Sequence, residues 1–174
     1  MSSDEQQFQE PDDSDYGYWG SSREEYEQHL GKFLVSFNRI ENIVSELLAR
    51  ALARGGRTDL VDRAIKRPLD RRLDDLELLL VAYPNAPKPP YADIRQLSYR
   101  RNELAHGHYD DWQGYQSFNV ISRGKRTAIP PSEVIPLVEQ SEELAFRLRG
   151  LEAHWDFEQV SEAIAEVGPP NDRP

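Results

Sequence analysis

A chain of 174 residues has room for one domain with a modest hydrophobic core. It contains no cysteine, which excludes disulfides and thiolate metal sites and leaves stability to packing. Its net charge of −10 argues against a polyanionic partner for the chain as a whole, and it shows neither a signal-peptide pattern nor a membrane-spanning apolar run, so the expectation is a soluble, cytoplasmic protein.

The charge is unevenly placed. Residues 1–31 carry one arginine against nine acids, and residues 132–174 carry three arginines against ten acids. Residues 32–131 carry seventeen basic groups against twelve acidic ones. Most of that excess falls between Arg50 and Arg72, where eight Arg or Lys residues meet Asp59, Asp62 and Asp70. Two readings of this cluster stand side by side: a surface for a polyanion, or a solvated face flanked by acidic helices.

In chain order, residues 1–22 are rich in acids, Ser and Gln without an apolar period, which predicts a disordered acidic tail. From Arg23 to Arg54, Tyr26, Leu30, Phe33, Leu34, Phe37, Ile40, Val44, Leu47, Leu48, Ala51 and Leu52 recur at intervals of three and four. That spacing predicts a long amphipathic helix ended by Gly55-Gly56. A short helical segment follows over Thr58 to Lys66, punctuated by Pro68. Leu69, Leu73, Leu76, Leu79, Leu80 and Tyr83 mark a second substantial helix, stopped by the prolines of "YPNAPKPP".

A third begins at Pro90 or Tyr91 and reaches the vicinity of Ala105, with Gly107 suited to end it. Its stripe is Ile94, Leu97, Arg101 and Leu104. A guanidinium at a stripe position must find an acceptor, a partner chain or a ligand. Beyond Asp111, "YQSFNVIS", "RGKR" and "TAIP" alternate around Gly124 and predict a small β-hairpin over about 112–129. Ser132 is the expected N-cap of a final helix, with Pro136 in its first turn and Leu137, Leu144, Leu148, Leu151 and Trp155 as its stripe towards Val167. Residues 168–174 form a tail.

The expected fold is therefore all-α: an up-and-down bundle of about four main helices over 23–167, with a β-hairpin inserted before the last.

The stretch "YRRNELAHGHYD" carries the chemistry. Arg101, Asn102 and His106 stand as Arg-Asn-x3-His, with Ala105-His106-Gly107 at a helix end. In an all-α chain this pattern resembles the HEPN superfamily, and the order of elements is similar over roughly residues 23–167. The resemblance implies a metal-independent endoribonuclease, without cofactor, whose motifs face one another across the cleft of a homodimer. It implies that His106 acts as general base or acid at a ribose 2′-hydroxyl or its leaving oxygen. Arg101 would hold the scissile phosphate, and Asn102 would orient the site. The products would be a 2′,3′-cyclic phosphate and a 5′-hydroxyl. The implied setting is toxin–antitoxin, abortive-infection or antiviral defence, with RNA as substrate and an antitoxin or defence-system protein as partner.

One HEPN toxin subgroup carries a modified Tyr two residues after the motif His; here that position is His108, and Tyr109 lies three after. Arg100, His108, Tyr109 and Glu41 are supporting candidates. Each motif residue also has a structural reading: Arg101 as the buried ion-pair partner of Glu41 or Glu46, His106 as a helix C-terminal cation, His108 as a surface residue. Arg123, Lys125 and Arg126 could follow an RNA backbone or make a soluble turn. Trp112 and Tyr115 could stack on bases or pack the hairpin.

No Gly-rich phosphate loop, HExxH or G-x-S-x-G pattern occurs, which removes ATPase, zinc-protease and serine-hydrolase readings. Two further classes remain open beside the ribonuclease. One is a HEPN-like binding or assembly module without turnover; the other is a regulator whose acidic tails mimic nucleic acid.

Overall fold

The first helix holds the fold together because its apolar residues occupy more of its circumference than one neighbour can cover. In the computed structural model, which describes the backbone of residues 13–106, 108–110, 118–122, 125–129 and 131–167 and the side chains of 24–105, 129 and 132–155, α1 runs Asp13–Arg54. Tyr26, Phe33, Phe37, Ile40, Ile43, Val44, Leu47 and Leu48 are buried along it. It packs against α2, α3, α4 and α5.

The helix starts ten residues ahead of Arg23, within the stretch expected to be disordered; residues 1–12 of that stretch lie outside the described residues. Extending a nucleated helix fixes one residue per hydrogen bond, so propagation needs far less than nucleation.

Gly55-Gly56 ends α1 in a Schellman arrangement. The Gly56 amide donates to the Ala53 carbonyl at 2.9 Å and the Arg57 amide to the Leu52 carbonyl at 2.8 Å. Gly56 adopts φ 70°, where a side chain would be strained. A 3-10 turn, Thr58–Leu60, and the short α2, Val61–Ile65, then lead back along α1. The second substantial helix, α3, runs Leu69–Leu79 and tightens into a 3-10 turn over Leu80–Ala82. The next, α4, is Tyr91–His106, and the last, α5, is Pro131–Val167.

Pro131, rather than a Ser132 cap, opens α5, where its missing N–H costs nothing. Pro136 lies inside the helix instead of in its first turn. The wall of α5 against the core is Val134, Leu137, Val138, Leu144, Ala145, Leu148 and Trp155.

Side-chain pairings fix the helix directions. Arg72 reaches Glu41 while Arg54 lies over Tyr83, so α3 runs with α1. Glu46 pairs with Arg149 and Arg50 with Glu152, so α5 does too. Asp93 meets Arg147 and Arg100 meets Glu133, so α4 runs against them. The four long helices are thus not strictly up-and-down: α2 takes the return between α1 and α3, and the bundle is built from five helices.

Between α4 and α5 the chain makes three short antiparallel strands, β1 His108–Asp110, β2 Phe118–Ser122 and β3 Lys125–Ile129, in that order. His108 pairs with Ile121 and Tyr109 with Val120; Phe118 pairs with Ile129 and Ser122 with Lys125. Ile129 is fully buried in the helical core, and β2 lies beside α4. Among the described residues no helix is long and apolar enough to cross a membrane.

Tyr91, at the start of α4, has a buried hydroxyl with no partner among the described residues. Burial, reinforced by the Glu77 carboxylate and opposed by Arg95, pushes its phenol up to about 12. A raised phenol ionises first in the unfolded chain, so this group leaves stability independent of pH below the ordinary value of 10.0 and lowers it as pH rises from there towards about 12. Tyr91→Phe removes an unpaired hydroxyl as well. Denaturant unfolding at neutral pH should find this variant at least as stable as the wild type, and a series above pH 10 should show it losing stability less steeply.

Candidate functional site

On α4 the buried side is Ile94, Leu97, Ser98 and Leu104. At 3.6 residues per turn Arg101 belongs to that side, and Arg95, Tyr99, Asn102 and position 106 fall within about 60° of one another on the opposite side. Arg101 is half-buried and Asn102 exposed. The Arg101 stem follows the apolar stripe while its head leaves it, as long cationic chains commonly do: Nη1 donates to the Asn102 Oδ1 at 3.0 Å. Its Nε is buried and has no acceptor among the described residues. Asn102 thus turns the guanidinium towards the face that holds position 106, the last residue of α4. The His106 side chain lies outside the described residues, as do those of His108 and Tyr109; the backbone of the latter two enters β1 directly after the helix.

The ion pair expected between Arg101 and Glu41 or Glu46 does not form. Glu46 receives a hydrogen bond from Arg149 at 2.8 Å. Glu41 is engaged by Arg72, whose Nη1 donates to the Glu41 carbonyl at 3.0 Å and to the Ser45 hydroxyl. Arg72 is the deeply buried arginine of the bundle, 9% exposed. Burial pulls its guanidinium below the ordinary range, and the Glu41 carboxylate opposes that. Arg72 stands three residues after Leu69 and four before Leu76, on the buried side of α3, so its spacing carried the same signal as that of Arg101, obscured by the basic run around it.

Arg100, the other motif arginine, is committed to carboxylates. It pairs with Glu103 one turn on, and with Glu133 of α5 at 3.3 Å. It therefore fastens the motif helix to the start of α5. The basic cluster between Arg50 and Arg72 is similarly spent: Arg50 pairs with Glu152, Arg57 with Asp59, Arg67 with Asp75 and Arg71 with Asp74. Three of those four acids lie outside the cluster itself, so a basic run in sequence becomes a nearly neutral surface.

Among the described residues no group of three or more His, Asp or Glu side chains is placed to hold a metal ion. Trp112, Tyr115 and Arg123 lie outside the described residues, and of Lys125 and Arg126 only the backbone, in β3, is described.

These placements separate the two arginines experimentally. Arg72→Ala removes a buried side chain together with its hydrogen bonds to the Glu41 carbonyl and the Ser45 hydroxyl, which keep the bond they share, and should lower the unfolding free energy by about 2–3 kcal/mol. Arg101→Ala removes a hydrogen bond at the surface and should cost less than about 1 kcal/mol. Equal losses in urea unfolding would make Arg101 a structural residue. Compared with known proteins, the chain matches no family model, no curated protein and no solved structure.

Proposed function

We propose that the protein is a metal-independent endoribonuclease of the HEPN type, with its active site composed at a homodimer interface. The observation that carries this reading is that the Arg101 guanidinium has no carboxylate partner among the described residues and is held by Asn102, its neighbour in the motif. Arg72, the enclosed arginine of the bundle, is bonded to another helix, whereas among the described residues Arg101 bonds only to its neighbour in the motif.

In this mechanism His106 takes the proton of a ribose 2′-hydroxyl, and the oxygen attacks the adjacent phosphorus. The P–O5′ bond breaks, and the departing oxygen receives a proton, leaving a 2′,3′-cyclic phosphate and a 5′-hydroxyl. An imidazole titrating near neutrality can serve as base and as acid. The Arg101 guanidinium stabilises the charge that builds on the phosphoryl oxygens, a role for which its fixed fork is suited. Proton and phosphoryl transfer of this kind requires no bound metal.

Helix geometry supports a dimer. Positions 101 and 106 are five residues apart, about 140° round the helix axis, so a single motif does not focus both groups on one point unaided. A second motif related by two-fold symmetry supplies the opposing half of a cleft. The setting that accords with this chemistry is toxin–antitoxin, abortive-infection or antiviral defence, with a protein partner that restrains the activity.

A second reading, a HEPN-like binding module in which the motif has no turnover, is favoured by one observation: the basic residues of 50–72 are largely consumed in ion pairs, which leaves little field to attract RNA.

The test is incubation of purified protein with mixed tRNA and mRNA in EDTA, beside His106→Ala and Arg101→Ala, with end-group analysis. The ribonuclease reading expects 2′,3′-cyclic phosphate ends from the wild type and a loss of at least about a hundredfold in each variant, with sedimentation showing the dimer intact. No cleavage by the wild type, with both variants still dimeric, selects the binding module.

A further inference from the structure

We infer that Tyr99 is a stacking platform for a base of single-stranded RNA, set one helical turn before the motif; this rests on the ribonuclease reading above and names its substrate class. The ring is 58% exposed, although it stands on a helix whose other large apolar residues, Ile94, Leu97 and Leu104, are buried. Tyr99, Asn102 and position 106 follow at three and four residues, so the ring, the amide that holds Arg101 and the position of the proposed base lie along one exposed stripe. Tyr99 and Asn102 are about 4.5 Å apart along the axis. A phosphate held by Arg101 therefore leaves its neighbouring base within reach of the ring.

Arg101 is the cation left to an anion at the stripe, since it has no carboxylate partner among the described residues. The acids nearest to it are occupied: Glu103 by Arg100, and Asp74 and Glu77 by Arg95 at 2.9 and 3.5 Å. Arg95 closes the stripe on one side of Tyr99, and the Arg101 guanidinium on the other. Apart from the small Ala92, the residues that share the side of Tyr99, namely Arg95, Gln96, Asn102 and Glu103, are polar. The other exposed apolar side chains, Val35, Leu78, Val81 and Phe146, stand on other elements. A protein partner would call for a desolvated apolar centre around the ring, whereas a base needs only a free aromatic face beside a backbone contact. Duplex RNA keeps its bases stacked inside the helix and offers none to Tyr99, so the substrate class is a single strand or loop.

The experiment measures binding of a short, labelled, 2′-O-methylated single-stranded RNA, which lacks the attacking hydroxyl, to wild type, Tyr99→Ala and Tyr99→Phe. Anisotropy and sedimentation are recorded on the same samples, with cleavage of the unmodified RNA alongside. The expected result is binding weakened about tenfold in Tyr99→Ala and kept in Tyr99→Phe, with the dimer unchanged and KM for cleavage raised in step. Equal binding by Tyr99→Ala and wild type, with cleavage intact, overturns the platform and leaves the ribonuclease standing. Dissociation of the Tyr99→Ala dimer assigns the ring to self-association and overturns the platform too. A wild type that neither binds nor cleaves RNA removes both readings together.

Discussion

The structure depends on the burial of α1. Its apolar residues from Tyr26 to Leu52 spread over a face too wide for a single partner helix, and four other helices gather on it. Each buried leucine or isoleucine contributes about 1.5–3 kcal/mol relative to exposure, so the bundle forms around α1 or not at all. The short return through α2 then forces α3 to run with α1. That choice sets α4 antiparallel and carries the end of α4, with the Arg-Asn-x3-His motif, towards the start of α5, where Arg100 meets Glu133.

Within that scaffold two arginines near the core have opposite fates. Arg72 is enclosed and hydrogen-bonded to α1 through the Glu41 carbonyl and Ser45. Removing it would empty a buried site and lose both bonds, although the Ser45 hydroxyl and the Glu41 carbonyl keep the bond they share. Arg101 shares a helix side with buried residues, its Nε buried and its Nη1 tied, among the described residues, to Asn102 alone. A cation kept near an apolar surface without a carboxylate is available to an anionic ligand, which is the physical content of the ribonuclease proposal.

Surface electrostatics follow the same logic of pairing. Arg149 bridges Glu46 and Glu152, Arg50 joins Glu152, and Arg147 meets Asp93, so cations of α1 and α5 are spent on clasping helices together. Glu152 is buried and depends on Arg50 and Arg149 for its partners, whereas the exposed pairs, Arg147 with Asp93 and Arg149 with Glu46, are each worth little in stability. Their larger effect here is to flatten the field of the bundle. What positive charge remains unspent at the motif therefore counts for more in selecting an anion there.

The long helices, their apolar stripes and the Gly55-Gly56 stop were legible in the sequence because each is a local property: a period of 3.6, a residue tolerant of positive φ, a proline run that cannot continue a helix. The motif was legible too, as a spacing of Arg101, Asn102 and His106 before a glycine. The start of α1 at Asp13 was not, since a polar segment gives no period to read and the helix enters it by propagation. The direction of α3, the partner of Glu41 and the availability of Arg101 were decided only by tertiary structure. All three depend on which residues distant in the chain arrive at the same place, and one-dimensional spacing does not tell Arg72 from Arg101, both on the buried side of their helices, because it sees the helix face but not what stands opposite it. The sequence by itself determined which faces must be buried; the packing decided which charges were left over.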